Sequence, residues 1–400
     1  MKACILERIA KRIRDPQTGC IRKNVKVYDV QYRYLDTTGK TRVTKKSGFT
    51  RKADAEKFLV EINQSINKGA FVKQDSILLR DYLNNWMEEY VKVNVRETTY
   101  HGYLRIVKTH LIPHLGNIKL QDLRAQDIDR LYSFLLTRGR ADGKGGLAAK
   151  SVQYTHRVFS EALSHAVKRQ YIATNPMQGI INVPKPLKYR GEIYSPSDFL
   201  RLLDATSGTI YEAAVALAGM CGLRRGECLG LRECDVNFEN HSIQVVQQLV
   251  TIENTVSISY PKTNDSARVI IAPDEALEII RRRVKHNHKC RAIAKDAYID
   301  REGLILCYDN GDWINPRNFT KAFSAMIKAK KLKKIRFHDL RHTCASFMLS
   351  SNVPLKTASM ILGHSSVAIT ADLYSHVVDQ NKRQAASAMS QLLFHGNQEQ

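Results

Sequence analysis

The sequence predicts a multidomain chain: a small α+β amino-terminal domain with a three-stranded sheet plus a helix, an all-α bundle, and a mixed, mainly-α carboxy-terminal domain with a small antiparallel sheet. Three observations carry this. The chain has 400 residues, more than one hydrophobic core usually organises. Its hydrophobic pattern alternates near the start, turns to helical spacing through the middle, and mixes the two beyond. Between the last two regions, Val183-Pro-Lys-Pro-Leu-Lys-Tyr-Arg-Gly191 sets two prolines and three basic residues between periodic segments, the composition of an extended linker. The expected boundaries are 1–72, 76–182, a linker at 183–192, and 193–395.

Lys and Arg number 62 against 39 Asp and Glu, a formal net charge of +23 with a pI near 9.7. That excess points to a polyanionic partner, nucleic acid first. Hydrophobic residues at 43% and charged residues at 25% exclude disorder as the main state. No run of about 18 apolar residues occurs, and the start Met1-Lys-Ala-Cys-Ile-Leu-Glu-Arg8 sets charges where a signal peptide needs an apolar stretch. The expectation is a cytoplasmic protein with no membrane partner. The cysteines at 4, 20, 221, 228, 234, 290, 307 and 344 form no Cys-x-x-Cys pair. The cluster His286-Asn-His288-Lys-Cys290 lacks the paired halves of a zinc motif, so reduced thiols and no metal are expected.

Up to Val72 the chain holds 17 Lys and Arg against 7 Asp and Glu, a net of +10. Val27-Tyr-Asp-Val-Gln-Tyr-Arg-Tyr34 alternates as a strand does, Asp36-Thr-Thr-Gly39 reads as a turn, and Thr41 to Ser47 as the return strand. Thr50 then caps a helix through Ala53, Ala55, Phe58, Leu59 and Ile62. A basic hairpin carrying Arg33, Arg42, Lys45 and Lys46 beside Tyr28, Tyr32 and Tyr34 suits a β-ribbon in a DNA groove. It suits equally a solvated basic surface with the tyrosines in a small core.

From about Ser76 to Asn182 the pattern is helical throughout, with Leu79, Leu83, Trp86, Met87, Tyr90 and Val91 on one stripe and Leu123, Ile128, Leu131, Leu135 and Leu136 on another. The stretch beginning at Asn94 opens a helix exposing Arg105 and Lys108, and Lys150-Ser151 through Arg157 opens a second. Both present candidate phosphate contacts, because basic side chains and helix amino-termini favour phosphate; for any one residue a plain solvated face reads the same. The glycines of 139–146 lack the phosphate-loop pattern and receive no nucleotide-binding role.

Beyond the linker, Ser242 to Val250 and Arg268 to Ala272 read as strands around the turn-rich Ser259-Tyr-Pro-Lys262-Thr-Asn-Asp-Ser-Ala-Arg268. After position 380, Ala385, Met389, Leu392 and Leu393 form the apolar stripe of a short terminal helix that needs a covering surface, in its own domain or on a partner.

Five motifs punctuate this carboxy-terminal half: Gly222-Leu-Arg224-Arg-Gly-Glu227, Lys262 in its turn, His338-Asp-Leu-Arg341-His342, Leu362-Gly-His364, and Tyr374. Taken in order, Arg224, Lys262, His338, Arg341, His364 and Tyr374 resemble the active-site series of the tyrosine recombinases, the phage integrase family. The resemblance extends over essentially the whole chain, toward the integrases of conjugative transposons and temperate phages. Arg341 and His364 lie 23 positions apart, and His364 and Tyr374 lie 10 apart, as in the family pattern. Arg224 is chosen over Arg225 by its place in the motif.

The chemistry fits. Phosphodiester cleavage by a side chain needs a nucleophile, charge on the non-bridging oxygens, and an acid for the departing oxygen. Tyr374 would be the nucleophile, although one tyrosine on an amphipathic helix is by itself a core or surface aromatic. Arg224 and Arg341 would clamp the phosphate through planar donor forks, and Glu227, three positions after Arg224, would brace it. His338 lies three residues before Arg341, on the same helical face. It would accept the tyrosine proton while His364 bonds a phosphate oxygen. The resemblance makes Lys262 the acid for the 5′-oxygen; read bare, it is an ordinary hairpin lysine.

The resemblance implies further that 1–72 binds arm sites, 76–182 binds the core site, and 193–395 is catalytic, the last two closing on duplex DNA through the linker. It implies integration and excision of a bacterial mobile element through a 3′-phosphotyrosyl intermediate without ATP, cofactor or metal. Expected partners are double-stranded DNA, other copies in a homo-tetramer on DNA, an excisionase and a DNA-bending protein. A type IB topoisomerase shares the tyrosine chemistry, and a non-catalytic DNA-binding regulator shares the basic surfaces. The separate basic amino-terminal domain weighs against the first, and a filled set of six chemical positions against the second.

Overall fold

Alternation near the amino end becomes antiparallel sheet in the computed structural model, which describes residues 3–14, 21–35, 41–67, 76–180, 183–185, 192–260, 268–363, 366–367, 371 and 389–390. The chain divides into two units, Met1–Leu187 and Lys188–Gln400.

In the first unit, β1 (Cys4–Arg14), β2 (Ile21–Leu35) and β3 (Thr41–Phe49) form an antiparallel sheet in the order β1-β2-β3, with α1 (Lys52–Asn67) packed on it. The hairpin strands stand where alternation placed them; its Asp36–Gly39 turn lies outside the described residues. The small core holds Val30, Tyr32, Ala55 and Ile62, with Tyr28, Phe49 and Phe58 against it. Tyr32 meets Phe58 edge-on at 6.2 Å. Two of the three hairpin tyrosines therefore serve the core, because one face of a sheet covered by a helix must be apolar. A register shift between Tyr28 and Val30 tucks Asp29 inside at 1% exposure. There it accepts from Arg8 Nε at 2.7 Å and the Gly48 amide at 2.9 Å, satisfying a buried charge.

The bundle follows: α2 (Leu79–Trp86) runs through a π turn, Met87–Val91, into α3 (Lys92–Asn94), and α4 (Glu97–Ile106) through another, Val107–Leu111, into α5 (Ile112–Leu115). Next come α6 (Ala125–Arg138) and α7 (Ala149–Lys168). The predicted stripes form its core through Leu79, Leu83, Trp86, Met87, Val91, Leu123, Ile128, Leu131 and Leu135, with Tyr90 packed against it, but Leu136, next to the buried Leu135, turns outward at 40% exposure. Residues 183–185 and 192 of the expected linker carry neither helix nor strand, and 186–191 lie outside the described residues.

The second unit opens with α8 (Pro196–Ala205), capped by Ser195 Oγ accepting from the Asp198 amide at 3.1 Å. It continues with α9 (Ile210–Gly219), α10 (Arg225–Gly230), β4 (Val236–Asn237), β5 (Ser242–Val245), β6 (Gln248–Ile252), β7 (Thr255–Ser259), β8 (Arg268–Ile271), α11 (Asp274–Ala294), α12 (Pro316–Ala329), α13 (Phe337–Ser350) and α14 (Leu355–Leu362). Apart from Glu212 in its first turn, α9 is almost wholly apolar, and Ala213 to Ala218 are all buried, so it is the central helix of the core. Phe337 of α13 meets Phe319 and Phe323 of α12 edge-on at 5.0 and 5.2 Å. One sheet runs β4-β5-β8; β6 and β7 make a separate hairpin. The run Ser242 to Val250, expected as one strand, thus breaks near residue 246, because its second half pairs with Thr255–Ser259 instead. No helix among the described residues is long and apolar enough to cross a membrane.

Candidate active site

Three loop and helix ends converge in the second unit. α9 ends in Cys221-Gly222-Leu223, where Gly222 takes φ +71°, a left-handed conformation that glycine adopts without strain. A Cβ there would also stand 2.8 Å from Leu362 Cδ2. The turn delivers Arg224 to the cap position of α10 with extended backbone, φ −73° and ψ 154°.

Glu227, in the first turn of α10, faces back. Its carboxylate accepts the Arg224 amide at 2.8 Å and Arg224 Nη1 at 2.8 Å. It also accepts Arg268 Nη1 at 3.2 Å and Nη2 at 2.8 Å. Burial alone would raise the Glu227 pKa, but the bonds and charge of Arg268, then those of Arg224, outweigh it and hold it at about 2. Two guanidiniums are therefore locked on one carboxylate, the side chains of Arg268 and Glu227 being only 8% and 9% exposed.

The same arginines reach the end of α14. Three consecutive carbonyls there accept from three different arginines: Ile361 from Arg268 Nε at 2.9 Å, Leu362 from Arg341 Nη2, and Gly363 from Arg224 Nη2 at 2.7 Å. A helix leaves its last carbonyls without intrahelical partners and carries partial negative charge at that end, so cations suit it. Gly363 closes α14 with φ 61° and ψ 50°, the left-handed cap conformation, and the chain passes directly to His364. Arg341 also donates from Nη1 to the Gly222 carbonyl at 2.7 Å, and the residue is 2% exposed. One network thus ties the turn before α10, the body of α13 and the end of α14.

α13 begins at Phe337 because Asp339 accepts the Arg336 amide at 3.3 Å and its Nε and Nη2 at 2.9 and 2.7 Å. Asp339 is fully buried; His338, one position before it, is exposed. Desolvation of its ring, then the neighbouring His342 and Arg341, push the His338 pKa down to about 4. The residue opens to water, which offsets part of that desolvation, but cations beside it act in the same direction and leave the imidazole neutral at pH 7. The His338 and His342 rings stand 5.1 Å apart and nearly perpendicular.

Of the predicted site residues, the structure brings Arg224, Glu227 and Arg341 into one hydrogen-bonded network and sets His338 one helical turn from Arg341. Lys262, His364 and Tyr374 lie outside the described residues, as do Ala385, Leu392 and Leu393 of the terminal stripe. Arg225 donates to Thr320 of α12 at 2.7 Å, so the adjacent arginines are engaged in different places. The residue that sequence reasoning missed is Arg268. Its signal was alternation: Val269 and Ile271 are exposed while Ile270 is buried, so Arg268 shares the inward face.

Arg33, Arg42, Lys45, Lys46, Arg105, Lys108, Lys150 and Arg157 are all exposed. Lys45 Nζ lies 3.4 Å from Asp29, and Lys46 Nζ sits 4.2 Å from the centre of the Phe58 ring, so those two are partly committed within their own domain. Among the described residues, the one group with metal-ligand chemistry is His286, Cys290 and Asp309, which shares no residue with the arginine network.

Comparison with known proteins adds to this geometry. A model described as the phage integrase family matches residues 195–381, one described as the phage integrase N-terminal SAM-like domain matches 78–136, and one described as an arm DNA-binding domain matches 20–66. A tyrosine recombinase XerC-like protein of Caldanaerobacter subterraneus subsp. tengcongensis is 26% identical over 358 residues, 85% of this chain and 90% of that protein. The ICEBs1 integrase of Bacillus subtilis is 20% identical over 380 residues, 91% of this chain and 96% of its own length. Among solved structures, the Tn1549 transposon integrase in complex with transposon right end DNA matches with a TM-score of 0.65 at 20% identity, over 79% of this chain and 99% of that one. A lambda integrase tetramer bound to a Holliday junction matches with a TM-score of 0.54 at 18% identity, over 87% of this chain and 92% of that one. At such identities the structural likeness speaks for the fold.

Proposed function

The chain belongs to the phage integrase family, the tyrosine recombinases, which cut and rejoin DNA strands, and from that premise we propose which of its residues do the chemistry and on what DNA. Tyr374 attacks the scissile phosphorus, forming a 3′-phosphotyrosyl bond and breaking the bond to the 5′-oxygen. Its proton passes to neutral His338 and Lys262 protonates the departing 5′-oxygen; attack by a 5′-hydroxyl on the same phosphorus reverses the exchange and frees the tyrosine. Arg224 and Arg341 hold the non-bridging oxygens with His364, bearing the charge that develops on them. Because the bond energy stays in the phosphotyrosyl link, no ATP is consumed.

The observation that carries this reading is the binding of three successive carbonyls at the end of α14 by Arg268, Arg341 and Arg224. It ties both arginines to the end of α14, immediately before His364 in the sequence, which supports a single site built from these parts. The substrate is double-stranded DNA at the ends of a mobile element and its target. The basic amino-terminal domain and the exposed Arg105, Lys108, Lys150 and Arg157 supply phosphate contacts, and the working assembly is a tetramer of this chain on two DNA sites.

A nicked duplex carrying the element's end, incubated with wild type and with Tyr374→Phe in the presence of EDTA, tests this on a denaturing gel. The expected result is a covalent DNA–protein band in wild type alone. No band in either protein, or a band that appears only when magnesium is restored, overturns it.

A further inference from the structure

The middle of α11 carries His286 and Cys290 one turn apart, and the Tyr308–Asp312 turn brings Asp309 over them. Cys290 Sγ lies 3.4 Å from His286 Nε2, which lies 3.0 Å from Asp309 Oδ1, and the three donor atoms all fall within 4.8 Å of one another. Zinc bonds of about 2.3 Å to sulfur and about 2.1 Å to nitrogen or oxygen, at tetrahedral angles, set neighbouring donors about 3.3–3.6 Å apart. The spacings found need adjustments of a few tenths of an ångström or a rotamer turn of an exposed carboxylate.

We propose that His286, Cys290 and Asp309 form a binding site for one divalent transition-metal ion of the zinc type, with water completing the tetrahedron. The sequence shows only half of it: His286 and Cys290 have helical ligand spacing, and the third ligand arrives through the fold from 19 residues beyond Cys290. The turn is held independently of any ion, since Arg283 Nη2 donates to the Cys307 carbonyl at 2.6 Å and Tyr308 and Asp312 are bonded through their backbones at 2.9 Å. Arg283 also stands 3.9 Å from Asp309 Oδ1, a cation that weakens the site. Thiolate and carboxylate together supply two negative charges against it. Binding as thiolate displaces the Cys290 thiol proton to water, so affinity rises with pH. The ion would cross-link α11 to the turn at 308–312 without touching Arg224 or Arg341, a structural role consistent with chelator-resistant chemistry.

Titrating the reduced full-length chain with Co2+ tests this. The expected result is a thiolate-to-cobalt charge-transfer absorption saturating at one equivalent, displaced by Zn2+, absent in Cys290→Ser and weakened at least tenfold in affinity in His286→Ala and in Asp309→Asn. Cys234→Ser, which removes another exposed thiol, should retain it. Circular dichroism confirms that the variants fold. Absence of the band in wild type, or its persistence in Cys290→Ser, overturns the proposal.

Discussion

An Arg268→Ala chain loses two hydrogen bonds to Glu227 and one to the Ile361 carbonyl. Breaking a buried ion pair by removing one partner costs about 3–5 kcal/mol; here Arg224 still holds Glu227, and about 3 kcal/mol is expected in denaturant unfolding. Covalent adduct formation should fall at least about tenfold while DNA affinity changes less than about twofold, because Arg268 bonds Glu227 and the end of α14 and is not one of the proposed phosphate ligands. Arg268→Lys should recover stability better than rate, an ammonium having no fork to span carboxylate and carbonyl. Unchanged adduct formation in Arg268→Ala would contradict this role.

Glu227 adds a pH signature. Its folded pKa of about 2 lies below the ordinary 4.5, so its contribution, on the order of 3 kcal/mol, is complete above pH 4.5 and is lost as pH falls toward 2. The stability gap between wild type and Glu227→Gln should be full at pH 7 and close in that window. His338, also depressed, should remain neutral through pH 6 in free protein and titrate near 4. An imidazole resonance with its midpoint at 6.5 or above would contradict the cationic surroundings assigned to it. Arg224 and Arg341, which the structure joins in one network, could be singled out because their motifs are local. Arg268 could not, because its partners lie 41 and 93 residues away and only alternation along β8 hinted at its inward aim.

At the scale of elements, the end of α14 is where backbone conformation and chemistry meet. Gly363→Ala would place a Cβ in a left-handed residue, with Arg268 side-chain atoms at 3.1 Å. The backbone penalty alone is about 1–2 kcal/mol, and displacing Arg268 should slow cleavage beyond what the stability loss explains. Comparing Gly363→Ala with Gly363→Asn by thermal unfolding and adduct rate separates the two, since Asn tolerates the conformation but crowds Arg268 more. Helical stripes in the bundle and the hairpin at 27–47 were legible because amphipathic periodicity reports a buried face directly. The break between β5 and β6 was not, since a continuous apolar run carries no mark of which neighbour each half will pair with. Nor was the inward turn of Asp29, which follows from a bulge.

Over the whole molecule, a net charge of +23, with +10 in the first 72 residues, points to a large phosphate contribution to DNA affinity. Affinity should fall by about a thousandfold or more between 50 and 200 mM salt, read by fluorescence anisotropy. A chain lacking residues 1–72 should show a shallower slope yet still form the covalent adduct, because all six proposed catalytic positions lie beyond residue 220. Equal slopes for the two chains would deny the amino-terminal domain its phosphate contacts. The organisation into successive domains was legible from composition and periodicity. Whether this chain cuts DNA through one tyrosine is decided by trimming the trapped adduct with nuclease, digesting it with protease, and sequencing the modified peptide by tandem mass spectrometry. A nucleotide joined through its 3′-phosphate to Tyr374 is expected; the nucleotide on any other residue, or a 5′-phosphate linkage, would rule Tyr374 out as the nucleophile that forms a 3′ link.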